Sequence, residues 1–300
     1  MKILILGSSG FVGQHLTSFL LKNTDHDLHL LQRKKAKSNE KRVRYFIGSY
    51  ENSTLLKRAL KKVDLVIHLI MSTSPRISNL NPSADIKANL LPTINLLDLM
   101  VKAGVKKIIY PSSGCSVYGD SQNLATETDT LKPTSSYGIV KISIEKYLQL
   151  YQLLHGIEPL VIRAAVLYGP GYGKIAVHGL ITTVLNKLHR NEKITIWGDG
   201  KSTRDFLYID DLNVFFLKAI KKYKSGIYNI GSAKGYSVNE ILSLAEKITG
   251  KKAKTEYSDK IVGDLQKIVL DASVIKKDFA WEAKTNISDG MKKCWESLSS

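Results

Sequence analysis

The sequence predicts an α/β fold: a doubly wound parallel sheet followed by a smaller C-terminal domain. Over the first two-thirds of its 300 residues, short β-branched runs alternate with longer amphipathic stretches, the pattern of βαβ units. Several of those runs are almost wholly apolar, as strands covered on both faces must be. After Arg163 the spacing loosens, with turn-rich stretches at 168–173 and 198–203.

The first strand is read at 2–6, followed by a helix at 10–22. Strands at 28–32 and 43–47 come next, then a helix at 53–60 and a strand at 65–70. A long helical pattern covers 83–103, a strand 107–111, a second long helix 137–154 and a strand 160–163. From about Ser232 the tail carries short strands and helical patterns at 238–249, 272–278 and 287–297. A nucleotide-binding domain over 1–165 and a second domain over 166–300 follow from this order. No internal repeat is present.

Composition excludes several classes. With 43% hydrophobic and 24% charged residues, 21 Gly and 7 Pro, the chain is neither disordered nor collagen-like. Cys115 and Cys294 cannot build a disulfide framework, which suits a reducing compartment. No apolar run reaches the ~18–20 residues needed to span a bilayer. The opening MKILILGSSG lacks the pattern of a secretory signal, so a cytoplasmic location without membrane contact is expected. The net charge of +17 raises the question of a polyanionic partner. The lysines are scattered, however, and no aromatic-interleaved basic stripe accompanies them. A solvated lysine-rich surface that attracts anionic small molecules is expected, without a nucleic-acid partner. No metal site is expected.

Gly7-Ser8-Ser9-Gly10-Phe11-Val12-Gly13 follows the first strand and opens the first helix. Glycines there permit a tight turn and close backbone approach, and the helix N-terminus offers N–H groups and positive dipole to a pyrophosphate. The loop therefore reads as a dinucleotide site. In an NAD site an acid at the end of the second strand accepts the adenosine ribose hydroxyls. Here that strand runs into Gln32-Arg33-Lys34-Lys35. A carboxylate repels a 2′-phosphate, whereas a guanidinium pairs with it through two charge-assisted bonds. NADP(H) is favoured, with NAD(H) possible.

Tyr137 and Lys141 stand four apart at the start of a helical pattern, one turn and one face. A phenol of pKa ~10 is a poor base at neutral pH. A neighbouring ammonium favours phenolate and lets Tyr137 exchange a proton with an alcohol or ketone. Lys141 is also a candidate to hold the nicotinamide ribose.

With these motifs the chain resembles an extended short-chain dehydrogenase/reductase of the nucleotide-sugar epimerase and dehydratase group, near the UDP-glucose 4-epimerases. The resemblance runs through Val66-Ile67-His68-Leu69, Asn89, Ser112-Ser113-Gly114-Cys115-Ser116-Val117-Tyr118-Gly119 and Arg163…Tyr168-Gly169-Pro170. It continues through Gly198-Asp199-Gly200-Lys201-Ser202-Thr203-Arg204-Asp205-Phe206 and Tyr228-Asn229-Ile230-Gly231. It implies a Rossmann-type domain, a C-terminal sugar-nucleotide domain, and the return of 205–231 to the first domain. It also implies a homodimer through the helices 83–103 and 137–154. The implied chemistry is hydride transfer between nicotinamide C4 and a sugar carbon, with Tyr137 moving the proton and a Ser or Thr polarising the oxygen. Cofactor contacts then fall on Gly7, Ser9, Gly10, Phe11, Val12, Gly13, Gln32, Arg33, Lys34, Ser49, Leu69, Ile70, Met71, Asn89, Tyr137 and Lys141. Substrate contacts fall on Ser116, Tyr137, Val166 and Arg204.

The departures narrow the reaction. Dehydratases of the group carry Asp-Glu where Cys115-Ser116 stand, and a thiol with a hydroxyl cannot readily supply both an acid and a base. The usual Ser/Thr position is Gly114. Strand alternation favours Ser116 as its replacement, with Ser113 as fallback. Relatives often carry Asn at Val166, Arg at Ile261 and an acid at Ser49. Arg204 and the first turn of a helix at 174–189 remain to hold phosphates, unless Arg204 pairs with Asp205. These features point to an NADPH-dependent 4-keto reductase of a nucleotide-activated 6-deoxy-4-ketohexose such as dTDP-4-keto-6-deoxyglucose, in surface-polysaccharide assembly. The alternatives are an NAD-dependent UDP-glucose or UDP-N-acetylglucosamine 4-epimerase and a non-catalytic NADP-binding regulator.

Overall fold

A computed structural model describes residues 1–34, 40–171, 179–260 and 263–299. The chain divides into two compact units. The first comprises Met1–Val117, Ser135–Arg163 and Ala219–Tyr228; the second comprises Tyr118–Thr134, Ala164–Lys218 and Asn229–Ser300.

The first unit is built on a seven-stranded sheet. Its strands are β1 (Lys2–Leu6), β2 (Asp27–Gln32), β3 (Val43–Ile47), β4 (Leu65–His68), β5 (Lys107–Ser113), β6 (Glu158–Ala164) and the later edge strand β10 (Gly226–Ile230). The order is β10-β6-β5-β4-β1-β2-β3, and β1 runs parallel to both β2 and β4. Ile3, Leu4, Ile5, Val66, Ile67, Ile108 and Ile109 have no exposed surface, so both sheet faces are covered. Each such side chain contributes roughly 1.5–3 kcal/mol of burial. This is the Rossmann-type doubly wound sheet. Its connections reverse direction between β1 and β4, the place where such sheets open a crevice beyond their strand ends.

Helices α1 (Phe11–Asn23) and α2 (Ser53–Ala59) lie where the apolar pattern put them. The 65–70 strand ends earlier, at His68. The 83–103 pattern is helical throughout but not uniform. It divides into α4 (Pro82–Asp85), a π-turn at Ile86–Leu90 and α5 (Leu91–Ala103), preceded by a short unforeseen α3 (Pro75–Leu80). Pro92 is the physical reason: it has no N–H to give the carbonyl four residues back. The helix accommodates this by widening one turn, and the Leu91 N–H bonds to Ile86 oxygen. After α6 (Gly114–Val117), the second long helix is α7 (Ser136–His155), closed by Gly156 in the left-handed conformation.

In the second unit, β9 (Thr203–Tyr208) is central. It pairs with β7 (Val166–Tyr168), β11 (Gly235–Ser237) and β13 (Lys267–Ile268), while β8 (Ile194–Trp197) pairs with β12 (Thr255–Ser258). Helices α8 (Leu180–Arg190), α9 (Ile209–Lys221), α10 (Val238–Thr249), α11 (Ser273–Phe279) and α12 (Ile287–Ser299) complete it. Because β9 is hydrogen-bonded to strands of the second unit, the stretch grouped with the first is Ala219–Tyr228, shorter than 205–231. Among the described residues, no helix is long and apolar enough to cross a membrane.

Candidate active site

Gly7 follows β1 with φ of +86°, a conformation that disfavours any Cβ. A Cβ on Gly13 would stand 2.2 Å from the Gly7 carbonyl oxygen, so α1 closes on the loop only with glycine there. Gly10 is the N-cap of α1 and provides no side-chain cap, which suits an anion at the helix end. Phe11 is buried and Val12 half-buried in that first turn. The cradle fits a pyrophosphate.

Gln32, at the end of β2, is buried. Ser8 Oγ donates to its Oε1 at 2.9 Å, and its Nε2 donates to the Lys34 carbonyl at 2.8 Å. Arg33 and Lys34 are exposed beside it. A recess of about 470 Å³ brings together Ser8, Ser9, Gln14, Gln32, Lys34 and Tyr45. Lys35 lies outside the described residues. Ser49 follows β3 and is exposed, its hydroxyl accepting the Glu51 N–H. Leu69, Ile70 and Met71 follow β4, and Ile70 N lies 3.3 Å from where a Gly7 Cβ would be. The loop, Gln32, Ser49 and 69–71 thus share the C-terminal ends of neighbouring strands β1 to β4.

The first turn of α7 is held by side chains. Ser135 caps it by accepting the Gly138 N–H, Asn79 Oδ1 accepts the Ser136 N–H at 2.8 Å, and Ser78 Oγ accepts the Tyr137 N–H at 2.9 Å. One turn on, Lys141 is only 4% exposed. Its Nζ donates to the Pro111 carbonyl at 2.7 Å and stands 4.6 Å from the Tyr110 ring centroid and 5.7 Å from that of Tyr137. Burial lowers the Lys141 ammonium to about 7, opposed by the charges of Glu145 and then Asp85. Burial, aided by Lys141, also takes His68 down to about 3 and keeps its ring neutral. Glu145 is buried against Arg163, with Nη2–Oε2 at 2.8 Å, and accepts the Ser112 hydroxyl.

Two expectations change here. Strand alternation does not select Ser116, because β5 stops at Ser113 and 114–117 is a helical turn. Ser113 Oγ accepts the Ser116 N–H at 3.3 Å and donates to Ser116 Oγ at 3.2 Å, so the two hydroxyls form one neighbouring pair. Asn89, in the π-turn, is engaged inside the protein: its Oδ1 accepts the Ser72 N–H at 2.8 Å and its Nδ2 donates to Asp85 Oδ1 at 2.8 Å.

In the second unit, Val166 opens β7 and is half-buried. Arg204 pairs with Asp264 at 2.7 Å and donates to the Leu265 and Thr203 carbonyls, so its ion-pair partner is not Asp205. Asp205 is fully buried and instead accepts the Ser232 N–H and hydroxyl and the Ala233 N–H. The start of the 174–189 pattern and Ile261 lie outside the described residues; within them the helix begins at Leu180.

The model of the NAD-dependent epimerase/dehydratase family matches residues 3–231. The chain belongs to this family. A Methanocaldococcus jannaschii protein is 33% identical over 298 residues, covering 97% of this chain and 96% of its own. An Escherichia coli dTDP-4-dehydro-6-deoxyglucose reductase is 28% identical over 99% of this chain and 97% of its own. Among solved structures, the Thermotoga maritima UDP-glucose 4-epimerase with UDP-glucose superposes with a TM-score of 0.93 at 30% identity, covering 100% of this chain and 99% of that one. The epimerase/dehydratase chain is thus an enzyme of the NAD(P)-dependent nucleotide-sugar group.

In this family member, sequence reasoning missed Ser78, Asn79, Asp85 and the Glu145–Arg163 pair as supports of the Tyr137–Lys141 face. Glu145 had a signal, standing four residues after Lys141 on one helix face. Arg163 was singled out in the sequence but not linked to Glu145, and Ser78, Asn79 and Asp85 had no signal, because they come from α3 and α4.

Proposed function

We propose that the chain transfers hydride at C4 of a nucleotide-activated sugar, as an NADPH-dependent reductase of a 6-deoxy-4-ketohexose such as dTDP-4-keto-6-deoxyglucose, in surface-polysaccharide sugar synthesis. The observation that carries this is the end of β2: a neutral Gln32 with both ends of its amide engaged, flanked by exposed Arg33 and Lys34. No carboxylate there repels a 2′-phosphate, and two cations attract one. When bound to the glycine loop, the dinucleotide supplies the hydride. Tyr137 would give its phenol proton to the C4 carbonyl oxygen as hydride reaches C4, and Lys141 favours the phenolate that is left. Ser113 or Ser116 donates to the sugar oxygen, and Arg204 is the phosphate contact once Asp264 yields. Cys115-Ser116 offers no acid–base pair for dehydration. Titration of both cofactors should give NADPH binding about 10-fold or more tighter than NADH; tighter NADH binding would overturn the cofactor assignment.

A second reading is an NAD-dependent 4-epimerase acting on UDP-glucose or UDP-N-acetylglucosamine, favoured by the likeness to the T. maritima enzyme over the whole chain. Incubation with UDP-, dTDP- and GDP-sugars and their 4-keto derivatives separates the two. Stoichiometric loss of NADPH absorbance marks a reductase; hexose interconversion without net cofactor change marks an epimerase.

Two copies are proposed to pair through α5 and α7, where Leu91, Ile139, Leu153 and Leu154 are exposed. Sedimentation should show a dimer, and Leu153→Glu should yield a monomer; a monomeric parent protein would refute the pairing.

A further inference from the structure

Asp85 ends α4 with no exposed surface. Its carboxylate accepts three side-chain bonds, all from neutral donors: Thr73 Oγ1 at 2.6 Å, Asn89 Nδ2 at 2.8 Å and Ser136 Oγ at 2.8 Å. Ser136 is the first residue of α7 and precedes Tyr137, so this carboxylate fastens the turn that presents the phenol. Its location at the N-terminus of α7 is also the end where a helix dipole favours negative charge.

The charges around Lys141 make Asp85 distinctive. Tyr137 of α7 and Tyr110 of β5 face the ammonium; the charges of Glu145 from α7 and then Asp85 from α4 favour it, it disfavours a charged His68 on β4, and Arg163 of β6 is paired to Glu145. His68 is neutral, and burial pushes the Tyr110 phenol well above its ordinary range. Glu145, although paired with Arg163, and then Asp85 supply the negative charge that favours the Lys141 ammonium; of the two, only Asp85 is also tied to the first turn of α7.

We propose that Asp85 is a positioning residue of the Tyr137–Lys141 pair: it pins the first turn of α7 through Ser136 and, with Glu145, adds to the buried negative charge that favours the Lys141 ammonium. This rests on the catalytic reading of Tyr137 and Lys141 given above. Asp85→Asn keeps the side chain's shape and removes its charge. The alkaline limb of the turnover–pH profile should then move to lower pH by about half a unit or more. Ser136→Ala removes the tether and leaves the charge, so kcat should fall several-fold with KM for the cofactor and the alkaline limb unmoved. A purely structural Asp85 would leave the limb of Asp85→Asn where it stands, and that result overturns the charge role. Parental kcat in Ser136→Ala overturns the pinning role.

A readout without substrate separates this idea from the proposed function. In protein labelled with ¹⁵N at lysine side chains, the Lys141 Nζ signal, assigned by its loss in Lys141→Arg, should titrate at lower pH in Asp85→Asn. If no nucleotide sugar is turned over by the parent protein, the catalytic reading fails while this titration still decides the charge role. If Asp85→Asn does not fold, Asp85→Glu serves: it retains the charge, and its Lys141 signal should titrate with the parent's. A different titration in that folded variant, which still carries a carboxylate, would count against the charge role.

Discussion

Tyr137→Phe should lower turnover about 10²-fold or more while leaving dinucleotide binding and the melting temperature close to those of the parent protein. The substitution removes one oxygen from a half-buried ring whose backbone N–H remains bonded to Ser78. The loss should lie in kcat, because in the proposed reaction the phenol's proton goes to the sugar oxygen while other groups hold the nucleotide. Single-turnover spectrophotometry of the nicotinamide band checks this. An unchanged rate would remove Tyr137 from the chemistry.

The second large effect concerns stability. Glu145→Leu should cost about 3–5 kcal/mol, because it strands the Arg163 guanidinium in the interior and leaves Ser112 without its acceptor. Urea unfolding should show the loss as a lower midpoint. Changing both partners, Glu145→Leu with Arg163→Met, should recover most of it, since an apolar pair of similar volume pays no penalty for an unmatched charge. Equal losses in the single and double variants would mean that packing, not the unmatched charge, carries the cost. The double variant should remain catalytically impaired, because Glu145 also favours the charged form of Lys141.

Legibility differed from element to element. Lys2–Leu6 was readable residue for residue because a strand buried on both faces must be continuously apolar; the edge strand Val43–Ile47 also matches, although only Phe46 of it is buried. The glycine loop was readable because each glycine answers a local steric demand. The widened turn in the 83–103 helix was signalled in the sequence by Pro92, yet apolar periodicity alone carries across it. Ser116 was placed by the period of a strand that ends three residues earlier, at Ser113. The alternative partner considered for Arg204, Asp205, adjoins it in the chain, but alternation along β9 sends consecutive side chains to opposite faces and Arg204 pairs with Asp264 instead.

By itself the sequence determined the parallel sheet, the dinucleotide loop and the Tyr137–Lys141 spacing, since each depends on local periodicity or on a single turn of backbone. Only the tertiary structure decided what surrounds that pair: Ser78 and Asn79 on the α7 backbone, Asp85 on Ser136, and Arg163 matched to Glu145. The physical reason is that buried charge must be balanced in space, and the balancing groups come from elements far apart in the chain.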